Sequence, residues 1–127
     1  KLWWSKCWKL MSEYVRRRDA DLDGFNLCFT CGRKEHWKNL QGGHRHHRRL
    51  DFDERNIGPQ CRQCNMQGHG GLNGNLGEYE RRLILKFGME WTEKLRLDAN
   101  TSPPYTLEEI KKHYASLEAE LQQQNAP

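Results

Sequence analysis

The chain has 127 residues, 35% apolar and 30% charged, with a formal net charge of +4. That length suits one domain rather than two, and the thin apolar share predicts a small core that needs a staple, for which a bound metal is a common device. No apolar run approaches the roughly 20 residues of a membrane span, and no segment has the charged, apolar and cleavage-site regions of a secretory signal, so a cytoplasmic setting with reduced cysteines is expected. The start at Lys1, without Met, is what a piece of a longer chain would show.

Residues 2–18 place Trp4, Trp8, Met11 and Val15 on one helical face, with Cys7 and Tyr14 beside them. This predicts an amphipathic helix docked on the body, with Cys7 as a small buried hydrophobe. Asp19–Gly24 is a polar turn that lacks the spacing and closing Glu of a calcium loop. Residues 1–24 therefore read as an N-terminal helix and turn.

Residues 25–90 read as the core. Cys28-Phe-Thr-Cys31-Gly32 is a knuckle whose tight bend falls to Gly32. Two short strands are expected at 38–47 and 55–60, bounded or bent by Gly42, Gly43, Gly58 and Pro59. A helix is expected to start over Arg62–Met66. Residues 66–75, with four glycines, form a loop. Glu78–Phe87 is predicted helical, with Gly88 as its cap.

Residues 91–127 form a C-terminal helical region. Met89–Leu97 is expected as a short helix and Thr101–Pro104 as a break. Thr106 and Glu109 fit a capping box, and the last helix should reach about Gln124. Leu107, Ile110, Tyr114, Leu117 and Leu121 repeat at heptad spacing. That stripe suits a homodimer seam and packing on its own domain equally well.

Cys28, Cys31, Cys61 and Cys64 form two CxxC pairs, the spacing at which four thiolates grip one zinc ion. Four sulfurs leave no open position, so this zinc is expected to be structural. Between the pairs, residues 44–49 read HRHHRR. Such a run suggests a polyanion partner, although a solvated loop explains it as well. Directly after the last thiolate stands Asn65.

The pattern Cys28-x2-Cys31 … Gly43-His44 … Asn56-x4-Cys61-x2-Cys64-Asn65 resembles the zinc-containing branch of the HNH (ββα-metal, His-Me finger) endonucleases, and is similar to phage endonuclease VII. It looks closest to the lambdoid phage recombination nuclease family called NinG or Rap. That likeness extends through Gly74-Asn75 and Tyr79–Gly88, and covers roughly residues 25–90.

The resemblance implies an α+β fold: a small zinc-stapled ββα-metal core flanked by N- and C-terminal helices. It implies a hydrolase that cuts DNA phosphodiesters, on branched recombination intermediates or duplex, in the cytoplasm of a bacteriophage's host. His44 would be the general base. Asn65 would ligate a catalytic Mg2+ or Mn2+, and Asn56 would pin the loop behind His44. Arg45, His46, His47, Arg48, Arg49 and Arg62 would meet DNA phosphates. A junction resolvase would need two such sites, hence a dimer.

Gly43 departs from the pattern, since many HNH enzymes carry there an Asp that ligates the ion. His46, His47 and His69 are candidates for the missing ligand, and a role exchange with His44 as ligand and His46 as base stays open. Asn65 would also serve as a plain helix N-cap. His36 and His113 fall outside the pattern and read as surface residues. The rival to the enzyme is a zinc-ribbon DNA-binding module without catalysis.

Overall fold

The computed structural model describes residues 1–47 and 49–124. Its elements run α1 (Leu2–Arg18), β1 (Phe25–Leu27), β2 (Lys34–His36), β3 (Gln41–His44), β4 (Ile57–Gln60), α2 (Arg62–Asn65), α3 (Leu76–Phe87), α4 (Met89–Thr101) and α5 (Leu107–Gln124). The fold is a small mixed α+β arrangement. Short 3-10 turns stand before β3, at Trp37–Asn39, and before β4, at Glu54–Asn56.

The local signals behave as their chemistry requires. α1 has the predicted bounds and buries Cys7, Met11 and Val15. Gly32 and Gly88 both sit at positive φ, where a Cβ is disfavoured. The Thr106–Glu109 capping box closes in both directions, Glu109 N–H to Thr106 Oγ1 at 3.1 Å and Thr106 N–H to Glu109 Oε1 at 2.8 Å. α4 runs on to Thr101, four residues past its expected end, and stops before Pro103.

The strands are shorter than expected, and among the described residues there are four. β1 and β2 pair antiparallel around the first knuckle, Phe25 opposite His36. β3 and β4 pair antiparallel with Gln41 opposite Gln60 and His44 opposite Ile57. The first hairpin went unseen because three-residue strands with one apolar alternation carry too little periodicity.

Helix α1 lies across the β3–β4 hairpin and also against α5. Met11, Val15, Phe52, Ile57 and Leu117 form the main core there, with Trp4, Trp8, Ile110 and Tyr114 packed on it. A second core joins Leu50, Tyr79, Leu83, Leu95 and Ala99 under α3 and α4. Each fully buried aliphatic side chain contributes about 1.5–3 kcal/mol.

Of the two readings of the α5 stripe, packing on its own domain is observed for Leu117 and Leu121, which are buried, and for Ile110 and Tyr114, which pack on the main core, while Leu107 is exposed. One expectation needs correction. His36 and His113 are half-buried rather than surface residues. His36 Nδ1 accepts the Lys38 N–H, and His113 packs on Phe52 and Tyr105. Among the described residues no helix is long and apolar enough to cross a membrane.

Candidate functional site

The two knuckles meet. The Sγ atoms of Cys28, Cys31, Cys61 and Cys64 all lie within 4.8 Å of one another, and Cys31 and Cys61 are 3.7 Å apart. Zinc–sulfur bonds of about 2.3 Å give a tetrahedron with edges of about 3.8 Å, so the cluster has the size a zinc ion requires.

The surroundings suit thiolates. The Thr30 hydroxyl stands 3.4 Å from Cys28 Sγ, Cys64 N–H donates to Cys61 Sγ at 3.5 Å, and Asn75 Nδ2 donates to Cys64 Sγ at 3.6 Å. Burial works against ionisation of Cys28, but hydrogen bonds from Thr30 and from backbone groups outweigh it and bring that thiol down to about 6. Burial pushes Cys61 up to about 12, with the Cys28 charge adding to it. A dication is what would let all four sulfurs ionise together. Among the described residues this is the one group of three or more His, Cys, Asp or Glu placed to share an ion.

From this cluster the chain runs in two directions. β4 enters it at Cys61 and α2 leaves it, with Cys61 as the helix N-cap. Asn65 is the last residue of α2 rather than a cap, which removes the capping explanation. Its Nδ2 donates to Gln41 Oε1 at 2.9 Å.

At the far end of the hairpin stands His44. Its ring stacks on Trp8 of α1, centroids 4.3 Å apart and planes inclined by 12°. Its Nε2 lies 3.0 Å from Oδ1 of the buried Asp51. That contact falls off the ring N–H direction and is not an aligned hydrogen bond. Asp51 Oδ2 accepts the Trp4 Nε1–H at 3.0 Å.

Asn56 has no solvent exposure. Its Nδ2 donates to the carbonyls of His46 and Leu50, at 2.6 and 3.0 Å, and its Oδ1 accepts His46 N–H at 2.8 Å. One amide thus closes the loop that follows His44, as expected of the middle Asn.

His44 and Asn65 are not brought together. A Cβ on Gly42 would meet Ser12 of α1, and one on Gly43 would meet Gln60, so successive residues of β3 face opposite ways. His44 shares the α1 face with Gly42, whereas Gln41, which holds Asn65, shares the other face with Gly43. The two ends of the strand are about 10 Å apart along the backbone.

Position 43 is closed to any side chain. A Cβ there would fall 1.8 Å from Gln60 Oε1, and Gln60 is fixed by donating to Thr30 Oγ1 at 3.1 Å and to the Gly74 carbonyl at 2.9 Å. Gln60 Oε1 itself is buried without a partner.

The basic run is dispersed. Arg45 pairs with Glu80 at 2.9 Å. Burial, with Arg45 beside it, lowers the pKa of His46, whose Nε2 is buried with no hydrogen-bond partner among the described residues. His47, Arg62 and His69 are exposed, Arg49 half-exposed, and Arg48 lies outside the described residues. His69 sits in the 66–75 loop at positive φ. An apolar groove lined by Phe29, Tyr79, Phe87 and Trp91 includes neither His44 nor Asn65.

Sequence reasoning missed Asp51, Gln41, Gln60 and the place of Trp4 and Trp8 at the site. The tryptophan stripe was a visible signal of burial, but nothing local tied it to His44.

Comparison with known proteins places the chain in context. The NinG family, described as Bacteriophage Lambda NinG protein, matches residues 1–126. Protein ninG of Escherichia phage lambda is 31% identical over 127 residues, covering 95% of this chain and 54% of the relative. Protein ninG of Salmonella phage P22 is 31% identical over 127 residues, covering 95% and 55%. Protein ninG of Escherichia phage 933W is 30% identical over 125 residues, covering 94% and 56%. The chain thus spans about half the length of the curated relatives it matches. No solved structure matches it.

Proposed function

The chain belongs to the NinG family of bacteriophage proteins, and we propose that it is the catalytic part of a metal-dependent HNH-type DNA endonuclease acting on branched recombination intermediates such as Holliday junctions, D-loops or flaps. The observation that carries this reading is the order β3–β4–α2 around the four-cysteine cluster, with His44 at the end of β3 and Asn65 at the end of α2. In this reading the ββα unit, stapled by zinc, would carry the His44 imidazole on one face of β3 and the Asn65 amide on the other, beside Gly42 and Gly43.

In this reading His44 takes a proton from water, the resulting hydroxide attacks phosphorus in line, and the bond to the 3′ oxygen breaks, leaving a 5′ phosphate. Asn65 would hold the divalent ion through its amide oxygen, and the ion would supply charge stabilisation at the phosphate and the leaving 3′ oxygen. Gln41 is the group beside it with a second amide oxygen. His44 and Asn65 lie on different faces of β3, so the reading requires the DNA phosphate to bridge them or Asn65 to turn away from Gln41. Arg49, half-exposed, and Arg62 and His47, both exposed, would give salt-sensitive, sequence-independent affinity.

The test is cleavage of a panel of junction, flap, D-loop and linear duplex DNA with Mg2+, Mn2+ or EDTA, using the wild type and His44→Ala. The expected result is metal-dependent cutting by the wild type, and binding without cutting by His44→Ala. Binding by both with cutting by neither would establish the rival, a zinc-ribbon module that holds DNA without hydrolysing it.

A further inference from the structure

We propose that Asp51 is a positioning residue for His44: a buried carboxylate, itself held by Trp4 of α1, that keeps the imidazole proton on Nε2 and so leaves the Nδ1 lone pair for the reaction. The inference rests on the endonuclease reading for its kinetic part, and on geometry alone for the rest.

Four features converge. His44 Nε2 is 3.0 Å from Asp51 Oδ1 and has no access to solvent. The residual 14% exposure of the His44 side chain therefore belongs to the rest of the residue. Asp51 is 6% exposed, so its carboxylate needs partners. Among the described residues it has two: the His44 imidazole on Oδ1 and the Trp4 indole N–H on Oδ2 at 3.0 Å. Trp8 stacks against the imidazole face at 4.3 Å and limits its tilt. The N–H direction at Nε2 is imperfect, and catalytic hydrogen bonds commonly tighten only when substrate is present.

The chemistry then follows from donor and acceptor counting. A carboxylate accepts on both oxygens, so it can serve Trp4 and His44 together. An asparagine has one oxygen and one NH2. If its oxygen keeps Trp4, its NH2 points at His44 and can only donate to Nε2. The ring proton must then move to Nδ1, and the nitrogen left for catalysis carries a hydrogen instead of a lone pair. A merely structural ion pair would lose stability on this change but would have no reason to alter the tautomer.

The experiment compares the full chain with Asp51→Asn, loaded with zinc, by imidazole nitrogen NMR of His44 and by steady-state cleavage of a branched DNA with Mg2+. The expected result is an Nε2–H tautomer in the wild type and a shift toward Nδ1–H in Asp51→Asn. With it should come a kcat lower by about 10²–10⁴-fold, the range seen when an orienting carboxylate is replaced by its amide, at nearly unchanged KM. A wild-type tautomer together with a cutting rate within about twofold in Asp51→Asn would overturn the proposal. If the wild type cuts no DNA yet Asp51→Asn still moves the tautomer, the endonuclease reading falls and the positioning role stands. Should Asp51→Asn fail to fold, the wild-type spectrum alone decides: an Nδ1–H tautomer of His44 in the wild type would sink the proposal.

Discussion

Trp8 of the N-terminal helix and His44 at the end of β3 lie face to face, 4.3 Å between ring centres and 12° between planes. A helix that looks like a separate N-terminal attachment is thereby one wall of the candidate site. The stack should displace the His44 ring protons upfield through the indole ring current. Trp8→Leu is expected to abolish that displacement and lower the melting temperature, because it removes an aromatic surface packed on the main core. Unchanged His44 proton shifts in Trp8→Leu would show that the stack does not persist in solution.

The four-cysteine cluster predicts about one zinc per chain. Cys61→Ser should lose most of it and unfold without cooperativity, since ion binding and folding are one process in such domains. Acid should release zinc as thiolates take up protons. The check is metal content by mass spectrometry alongside circular dichroism melts. A cooperative Cys61→Ser variant free of zinc would rule out the staple.

Asn56→Ala removes three hydrogen bonds to buried backbone groups of the 46–50 loop. With a donor and two acceptors left dry, a loss of about 2–4 kcal/mol is expected in urea titrations. Asn56→Asp should not restore it, because a carboxylate can accept from His46 N–H but cannot donate to the two carbonyls.

Gly43→Ala is expected to destabilise by about 1–3 kcal/mol or more, the usual cost of forcing extra atoms into a filled site, since its Cβ would lie 1.8 Å from Gln60 Oε1. Gln60→Ala alone opens space and strands Thr30 and the Gly74 carbonyl. The double variant should be less harmful than the sum of the two, because each change relieves part of the other. Strict additivity would mean that the Gln60 side chain does not cover Gly43.

Leu117→Ala should cost about 2–4 kcal/mol at any protein concentration, because the residue packs inside its own chain against α1. A melting temperature that rises with protein concentration in the wild type, and ceases to do so in Leu117→Ala, would restore the α5 stripe to the role of a dimer seam.

Cys7 is expected to be inert. It is fully buried, and burial pushes its thiol up to about 11. A thiol raised in the folded state favours folding fully below its unfolded value of about 9, and that contribution fades as pH rises toward 11. Thiol reagents at pH 8 should therefore find Cys7 only after unfolding, and Cys7→Ala should weaken the loss of stability in alkali.

What the sequence determined on its own was short in range. The bounds of α1, the Thr106 capping box, the left-handed turns at Gly32 and Gly88 and the paired knuckles each follow from residues within about four positions of one another, where helical period and cap chemistry act. The knuckle spacing also foretold one long-range fact, that Cys28 and Cys61 meet, because a shared ion requires it. The rest was decided only by tertiary packing. Trp4 meets Asp51 across 47 positions, Asn65 meets Gln41 across 24, and Gln60 fills the space over Gly43. None of these leaves a trace in local periodicity, since each joins elements that are distant along the chain. The packing of α1 on the hairpin sets His44 against Trp8, whereas Asn65 is held by Gln41 on the other face of β3.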